Sequence, residues 1–126
     1  MSWKGTYKSR ITTAEKAIKA IKDNDYVVFS ETAGIPQLIA KTLADHREDY
    51  HNVHIYHMLT LGDAPYLKPE CYGHFHHITN FVGGNSRQAL LDQQADFIPC
   101  YFKDVPAMLG EAFPVDVAVV SVSNPD

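Results

Sequence analysis

A chain of 126 residues sits in the usual range of about 100–150 for one domain and can bury roughly two thirds of the surface its unfolded form exposes. Hydrophobic residues make up 45% and charged ones 21%, which excludes a disordered, collagenous or low-complexity chain. Eleven Lys and Arg against fifteen Asp and Glu leave a net charge of −4. The basic excess of a nucleic-acid binder is missing, so no nucleic-acid partner is expected and any anionic ligand has to be captured locally.

The N-terminal stretch around Trp3 and Lys8 lacks the apolar run and small-residue cleavage site of a secretory signal. Thr12, Thr13, Ala14 and Glu15 form a capping-box pattern, in which a threonine hydroxyl caps a helix and the acid three residues on returns the bond. Ala14, Ala17, Ile18 and Ile21 then make one apolar helical stripe, with Lys16, Lys19 and Lys22 facing water. Asp23, Asn24 and Asp25 end it. Residues 26–30 form a short β-branched and aromatic run, which predicts a strand buried on both faces. Gly34 and Pro36 open a helix that carries Leu38, Ile39, Thr42 and Leu43 at helical spacing.

The alternation repeats. Residues 53–60 predict a second strand, a long loop follows with Gly62, Pro65 and Pro69, and residues 78–82 predict a third strand. Gly83, Gly84 and Asn85 open a helix to about Gln94. A fourth strand over 96–102, a short helix over 105–109 and a fifth strand over 115–122 complete the pattern. This is an α/β fold, a mostly parallel open sheet of about five strands with flanking helices. The longest apolar runs are four residues, against about 20 for a membrane span, so no membrane partner is expected. Cys71 and Cys100 are too few for a disulfide scaffold, and a reducing cytoplasm is the expected home. The last strand, with Val117, Val119 and Val120, is followed by almost nothing that could cover it. Ligands of open α/β sheets sit beyond the carboxyl ends of strands, so the chain is expected to be a fragment.

Two turns could carry chemistry. Residues 30–36 leave a buried strand and enter a helix, so their free N–H groups could hold an oxyanion or carboxylate, with Glu31 at the strand's end. On spacing alone the plainer reading is favoured: an ordinary βα turn with Gly for backbone freedom and Pro for helix initiation. Gly83 to Arg87 form a second Gly-rich turn that could take phosphate or carboxylate. It lacks the lysine of a P-loop and the three glycines of a dinucleotide fingerprint, and a capped helix is the plainer account.

Seven histidines, among them His51, His54, His57, His74, His76 and His77, invite a metal reading. On a strand His54 and His57 point to opposite faces and cannot share an ion. His74 and His76 could share a face, but only Cys71 stands at a matching interval, so no metal site is assigned. Cys100, after Pro99, is expected in the core, as are Tyr56, Met58, Tyr101 and Phe102.

Trp3 and Lys4, Tyr7, Arg10, Thr13 and Ala14, Pro36, Asn52 and Val53, His57 and Met58, and Thr60 to Gly62 form the first part of an ordered set. Tyr66, Lys68 to Glu70, Phe81 to Gly83, Arg87, Ala95 to Pro99, Val105 and Pro106, Val115 to Val117, and Pro125 and Asp126 complete it. Together they resemble the N-terminal domain of the acetyl-CoA hydrolase/transferase family. The resemblance runs from residue 3 to the last residue. It implies that residues 1–126 are one N-terminal CoA-transferase domain of a protein about three times longer, in keeping with two domains of ordinary size.

The activity that the resemblance implies is ping-pong transfer of CoA from an acyl-CoA such as acetyl-CoA to a short-chain carboxylate such as 4-hydroxybutyrate. A glutamate attacks the thioester, an acyl-glutamyl anhydride forms, and the returning CoA thiolate makes an enzyme–CoA thioester that the acceptor acid discharges. That glutamate belongs to the family's C-terminal domain, so no catalytic residue is assigned here and the segment alone is expected to be inactive. CoA would be a substrate and no cofactor permanently bound. The partners implied are the C-terminal domain, the acyl-CoA and the acid, in a homo-oligomer when complete. Carried over by position, Glu31, Thr32, Ala33, Gly34, Met58, Thr60, Asn85, Ser86 and Arg87 are expected to line the substrate side of the cleft. Glu31 departs from the residue types of the family's acyl-bordering loop, which leaves substrate choice open. The alternative is a free-standing α/β module that binds a small anion or nucleotide without catalysis. A structural or metal-binding domain and a hydrolase using Glu31 are lesser variants.

Overall fold

The computed structural model describes residues 2–124; Pro125 and Asp126, which the resemblance includes, lie outside the described residues. Five strands form one sheet: β1 (Tyr26–Phe29), β2 (Val53–His57), β3 (Phe75–Thr79), β4 (Ala95–Phe97) and β5 (Val117–Val119). Their order is β4-β3-β2-β1-β5, and every pairing is parallel. The chain therefore steps outward from β1 to β4 and then crosses back to the other side of β1. Right-handed crossovers put the two directions of travel on opposite faces. The helices α3 (Gln37–Asp45) and α4 (Gly84–Leu91) and the turns 65–71 pack on the first face, and the segment 102–112 packs on the second.

The first face holds the core. Val27 and Phe29 from β1, Val53 and Ile55 from β2, and Phe75 from β3 meet Leu43, Ala40, Tyr66, Leu67 and Ala89. Val27, Phe29, Val53, Ile55 and Leu43 are fully buried, and each such side chain contributes about 1.5–3 kcal/mol. Ahead of β1 lie α1 (Trp3–Arg10), which buries none of its residues and has no counterpart in the sequence pattern, and α2 (Ala14–Ala17). Thr13 caps α2 by accepting from the Lys16 N–H, and a 3₁₀ turn over Ile18–Ala20 buries Ile18. The predicted stripe is thus half realised: Ile18 and Ile21 are buried while Ala17 is exposed.

Several boundaries differ from expectation, each for a physical reason. β2 stops at His57 and not at residue 60, because the next two N–H groups leave the ladder for the Glu31 carboxylate. The third strand is Phe75–Thr79 and not 78–82. Its imidazoles look polar in sequence, yet His77 is buried in the core. β4 is Ala95–Phe97, and Pro99, which has no N–H to give, ends the pairing after Ile98 donates to the Thr79 carbonyl. Cys100, Tyr101 and Phe102 therefore leave the sheet. The core expectation fails for all three: Cys100 is exposed, and Tyr101 and Phe102 are 76% and 75% exposed. The segment expected as a helix over 105–109 is α5 (Val105–Ala107) followed by a π-turn over Met108–Ala112. β5 covers Val117–Val119 only, at the edge of the sheet.

Candidate functional site

The strand order reverses between β1 and β5, and in open parallel sheets ligands collect beside such a reversal, beyond the carboxyl ends of the strands. An apolar cavity of about 290 Å³ lies there. Its floor is Val28 and Tyr56 on the second face of β1 and β2, and its lid is Phe102, Val105, Pro106 and Leu109 from the crossover. Glu31, Met58 and Val120, from the ends of β1, β2 and β5, form its rim. A larger concavity of about 560 Å³ on the outer side of α3 is lined by Lys41, Asp45, Asp63 and Lys68 among others. Lys41 there already pairs with Asp45, and the strand ends lie elsewhere, so the smaller cavity is the better candidate.

The rim is tied together by Glu31. Its Oε1 accepts from the Met58 N–H at 2.9 Å and its Oε2 from the Leu59 N–H at 3.0 Å. One carboxylate thus closes two successive backbone donors that would otherwise be orphaned where β2 ends. Beside it, the Thr32 N–H donates to the Leu59 carbonyl at 3.1 Å, and Thr32 and Thr60 form a bridge. Thr32 is held at φ +52, a left-handed conformation that a β-branched residue adopts only when its surroundings impose it. Gly34 suits a close approach: a Cβ there would meet the Glu31 carbonyl oxygen at 3.1 Å, which the backbone would have to relieve by a few tenths of an ångström.

The turn expected to offer free N–H groups is therefore occupied from within. Two of its donors are used, Gly34 N–H on the Glu31 carbonyl within the turn and Thr32 N–H on the Leu59 carbonyl beyond β2. The anion in this corner is Glu31 itself, and the donors that hold it are Met58 and Leu59, just past the end of β2. Ser30, which the sequence reading did not single out, links the β1 and β5 ends: its N–H donates to the Val119 carbonyl and its Oγ accepts from the Ser121 N–H at 3.2 Å. Tyr56 and the crossover residues Phe102 and Leu109 were also missed. Only the β4–β5 crossover brings them to the cavity, and no local pattern announces it.

Among the expected residues, Glu31 and Met58 line the cavity, and Thr32, Ala33 and Gly34 continue the same turn. Thr60 turns into the core, 3% exposed, with its Oγ1 at 2.9 Å from His57 Nδ1. Asn85 reaches back to donate to the Gly62 carbonyl, which joins the third strand end to the second. Ser86 is buried and accepts the Gly83 N–H at 3.1 Å, so this turn is a capped helix start. Arg87 is exposed and makes no ion pair among the described residues.

Buried tyrosines add no acid–base group near neutrality. Burial and then the neighbouring Glu31 charge push the Tyr56 phenol well above its ordinary range, and its hydroxyl donates to Asn80. Among the described residues, no three His, Cys, Asp or Glu side chains gather at metal-holding distance. His74 and His76 do not meet: His74 Nδ1 lies 2.8 Å from the Tyr50 carbonyl and His76 Nε2 lies 3.0 Å from Asp96. Among the described residues, no helix is long and apolar enough to cross a membrane.

A family model described as the acetyl-CoA hydrolase/transferase N-terminal domain matches residues 1–126. The 4-hydroxybutyrate coenzyme A transferase of Clostridium kluyveri is 39% identical over 127 aligned positions, covering 100% of this chain and 30% of that protein. The succinyl-CoA:cyclohexane-1-carboxylate CoA transferase of Geobacter metallireducens is 30% identical over 132 positions, covering 99% and 28%. A crystal structure of the 4-hydroxybutyrate CoA-transferase from Porphyromonas gingivalis matches with a TM-score of 0.77 at 31% identity, over 99% of this chain and 28% of that one. The chain spans less than a third of the length of the curated relatives it matches.

Proposed function

Because the chain belongs to the acetyl-CoA hydrolase/transferase family, as its N-terminal domain, we propose that it supplies one wall of the acyl site of a CoA-transferase. The complete protein moves CoA from an acyl-CoA such as acetyl-CoA to a short-chain carboxylate such as 4-hydroxybutyrate. The observation that carries this reading is the apolar cavity at the strand ends, where the sheet order reverses, with the exposed Phe102 and Val120 beside it. A small apolar recess at the strand ends suits a short acyl chain whose reacting carbonyl lies outside it, towards a second domain.

The nucleophile is a glutamate on that second domain. Its carboxylate oxygen attacks the thioester carbon, and the CoA thiolate leaves as the acyl-glutamyl anhydride forms. The thiolate then attacks the glutamyl carbonyl and releases the first acid. The acceptor acid attacks the resulting glutamyl thioester, which expels the CoA thiolate and forms a second acyl-glutamyl anhydride; the thiolate then attacks the new acyl carbonyl, so that the new acyl-CoA forms and the glutamate carboxylate is released. This domain contributes shape and exclusion of water around the acyl chain, which protects the anhydride and thioester from hydrolysis. CoA is a substrate in this scheme and not a resident cofactor. The setting is cytoplasmic, the assembled protein is a homo-oligomer, and neither nucleic acid nor membrane is a partner.

The test is to join the chain to its C-terminal domain and assay CoA transfer from acetyl-CoA to short-chain acids. Transfer is expected from the joined protein and none from residues 1–126 alone. A folded, joined protein that transfers nothing would remove the proposal.

A further inference from the structure

Among the described residues, Glu31 is the one charged side chain in the lining of a mostly apolar cavity, with Val28, Tyr56, Met58, Phe102 and Leu109. Its position is not left to chance. Both carboxylate oxygens are pinned by successive N–H groups at 2.9 and 3.0 Å, and the neighbouring Thr32 is locked in a left-handed conformation by its own bond to Leu59. A side chain anchored at both oxygens cannot swing away to admit a second anion. Each oxygen keeps acceptor capacity for a further donor, since a carboxylate offers about four acceptor positions and the N–H groups use two.

We propose that Glu31 is a specificity-determining residue that sorts acyl chains by the charge at their far end. It rejects chains ending in a carboxylate and admits neutral ones, with a terminal hydroxyl able to donate to it. The inference rests on the acyl-site reading above and adds the substrate class. Like charges in a small apolar space repel strongly because little water remains to screen them. The cavity volume of about 290 Å³ lies just below the range of small-molecule sites, about 300–1,000 Å³, so the end of a chain seated in it lies close to the rim that Glu31 forms.

The experiment measures kcat/KM of the complete protein for three acyl-CoA donors of equal length: butyryl, 4-hydroxybutyryl and the dicarboxylic succinyl form. The expected result is discrimination of at least about tenfold against the succinyl chain relative to butyryl, mostly in KM. Glu31→Gln and Glu31→Met should each raise the succinyl-to-butyryl ratio by at least about tenfold. Using the ratio removes any general loss from the broken contacts to Met58 and Leu59. A parent protein that uses succinyl and butyryl donors equally well overturns the inference, whatever the variants do. So does an unchanged ratio in either variant that still turns over butyryl-CoA. Failure of the parent to transfer any acyl group overturns the functional reading itself, which separates the two failures.

Discussion

Two imidazoles, His57 and His77, lie side by side in the core, their ring centroids 6.1 Å apart and their Nε2 atoms buried without a hydrogen-bond partner. Burial, and then the neighbouring His77, holds His57 down to about 3; burial, and then His76, against the pull of the Ile55 carbonyl, holds His77 down to about 4. In the unfolded chain both titrate near their ordinary value of about 6.5. The unfolded state therefore takes up these protons first. The stability linked to the neutral rings is complete above about pH 6.5 and is lost as the pH falls towards the folded values. Each ring contributes a slope of up to about 1.4 kcal/mol per pH unit. Urea unfolding between pH 7 and pH 5, where few carboxylates titrate, should show a steady fall in stability, and His77→Leu should roughly halve the slope. A flat profile over that window would count against the buried neutral pair. Glu31 shows the other side of the residue scale. A carboxylate at a strand's end is visible in the sequence, but the donors that hold it are 27 and 28 positions away and no local pattern marks them.

At the scale of elements, the turns that open α3 and α4 look alike in sequence and do different work. The first carries Glu31 onto β2 and helps to form the cavity rim. The second closes on itself, because Ser86 Oγ accepts the Gly83 N–H at 3.1 Å inside a buried corner. Ser86→Ala removes that acceptor and leaves a half-buried donor, a loss of about 1–3 kcal/mol. Urea denaturation at neutral pH checks it, and a change below about 0.5 kcal/mol would mean that the cap contributes nothing. The strand ends follow the same logic of backbone partners. β4 stops where Pro99 can no longer donate, and β2 stops where Glu31 takes over its N–H groups. Proline as a breaker is legible in sequence, yet the apolar pattern of Cys100, Tyr101 and Phe102 extends the predicted strand over 96–102. Their exposure shows that the pattern serves a surface.

For the whole molecule, the uneven cover of the sheet is the feature with consequences. The first face is sealed by α3, α4 and the intervening turns, while among the described residues the second is covered by the segment 102–112. Phe102 and Val120, which line the cavity on that side, stand 75% and 61% exposed, and Tyr101 and Val122, elsewhere in the same C-terminal stretch, stand 76% and 81% exposed. Exposed apolar surface of this kind favours association. Residues 1–126 on their own should therefore self-associate with rising concentration, and Tyr101→Glu combined with Val122→Glu should shift them towards monomer. Sedimentation velocity reads the difference, and a parent chain that stays monomeric at high concentration would show that these exposed side chains are tolerated in water. The sequence by itself determined the alternation of strands and helices, the parallel sheet, the capped helix starts and the family, because each rests on local periodicity, turn chemistry or an ordered set of residues. Only the tertiary structure decided which strand lies beside β1, that His77 belongs in the core, and that Glu31 is clamped at the mouth of an apolar cavity. Those outcomes depend on register and on crossovers between distant segments, and hydrogen bonds across such distances leave no trace in a neighbouring residue's identity.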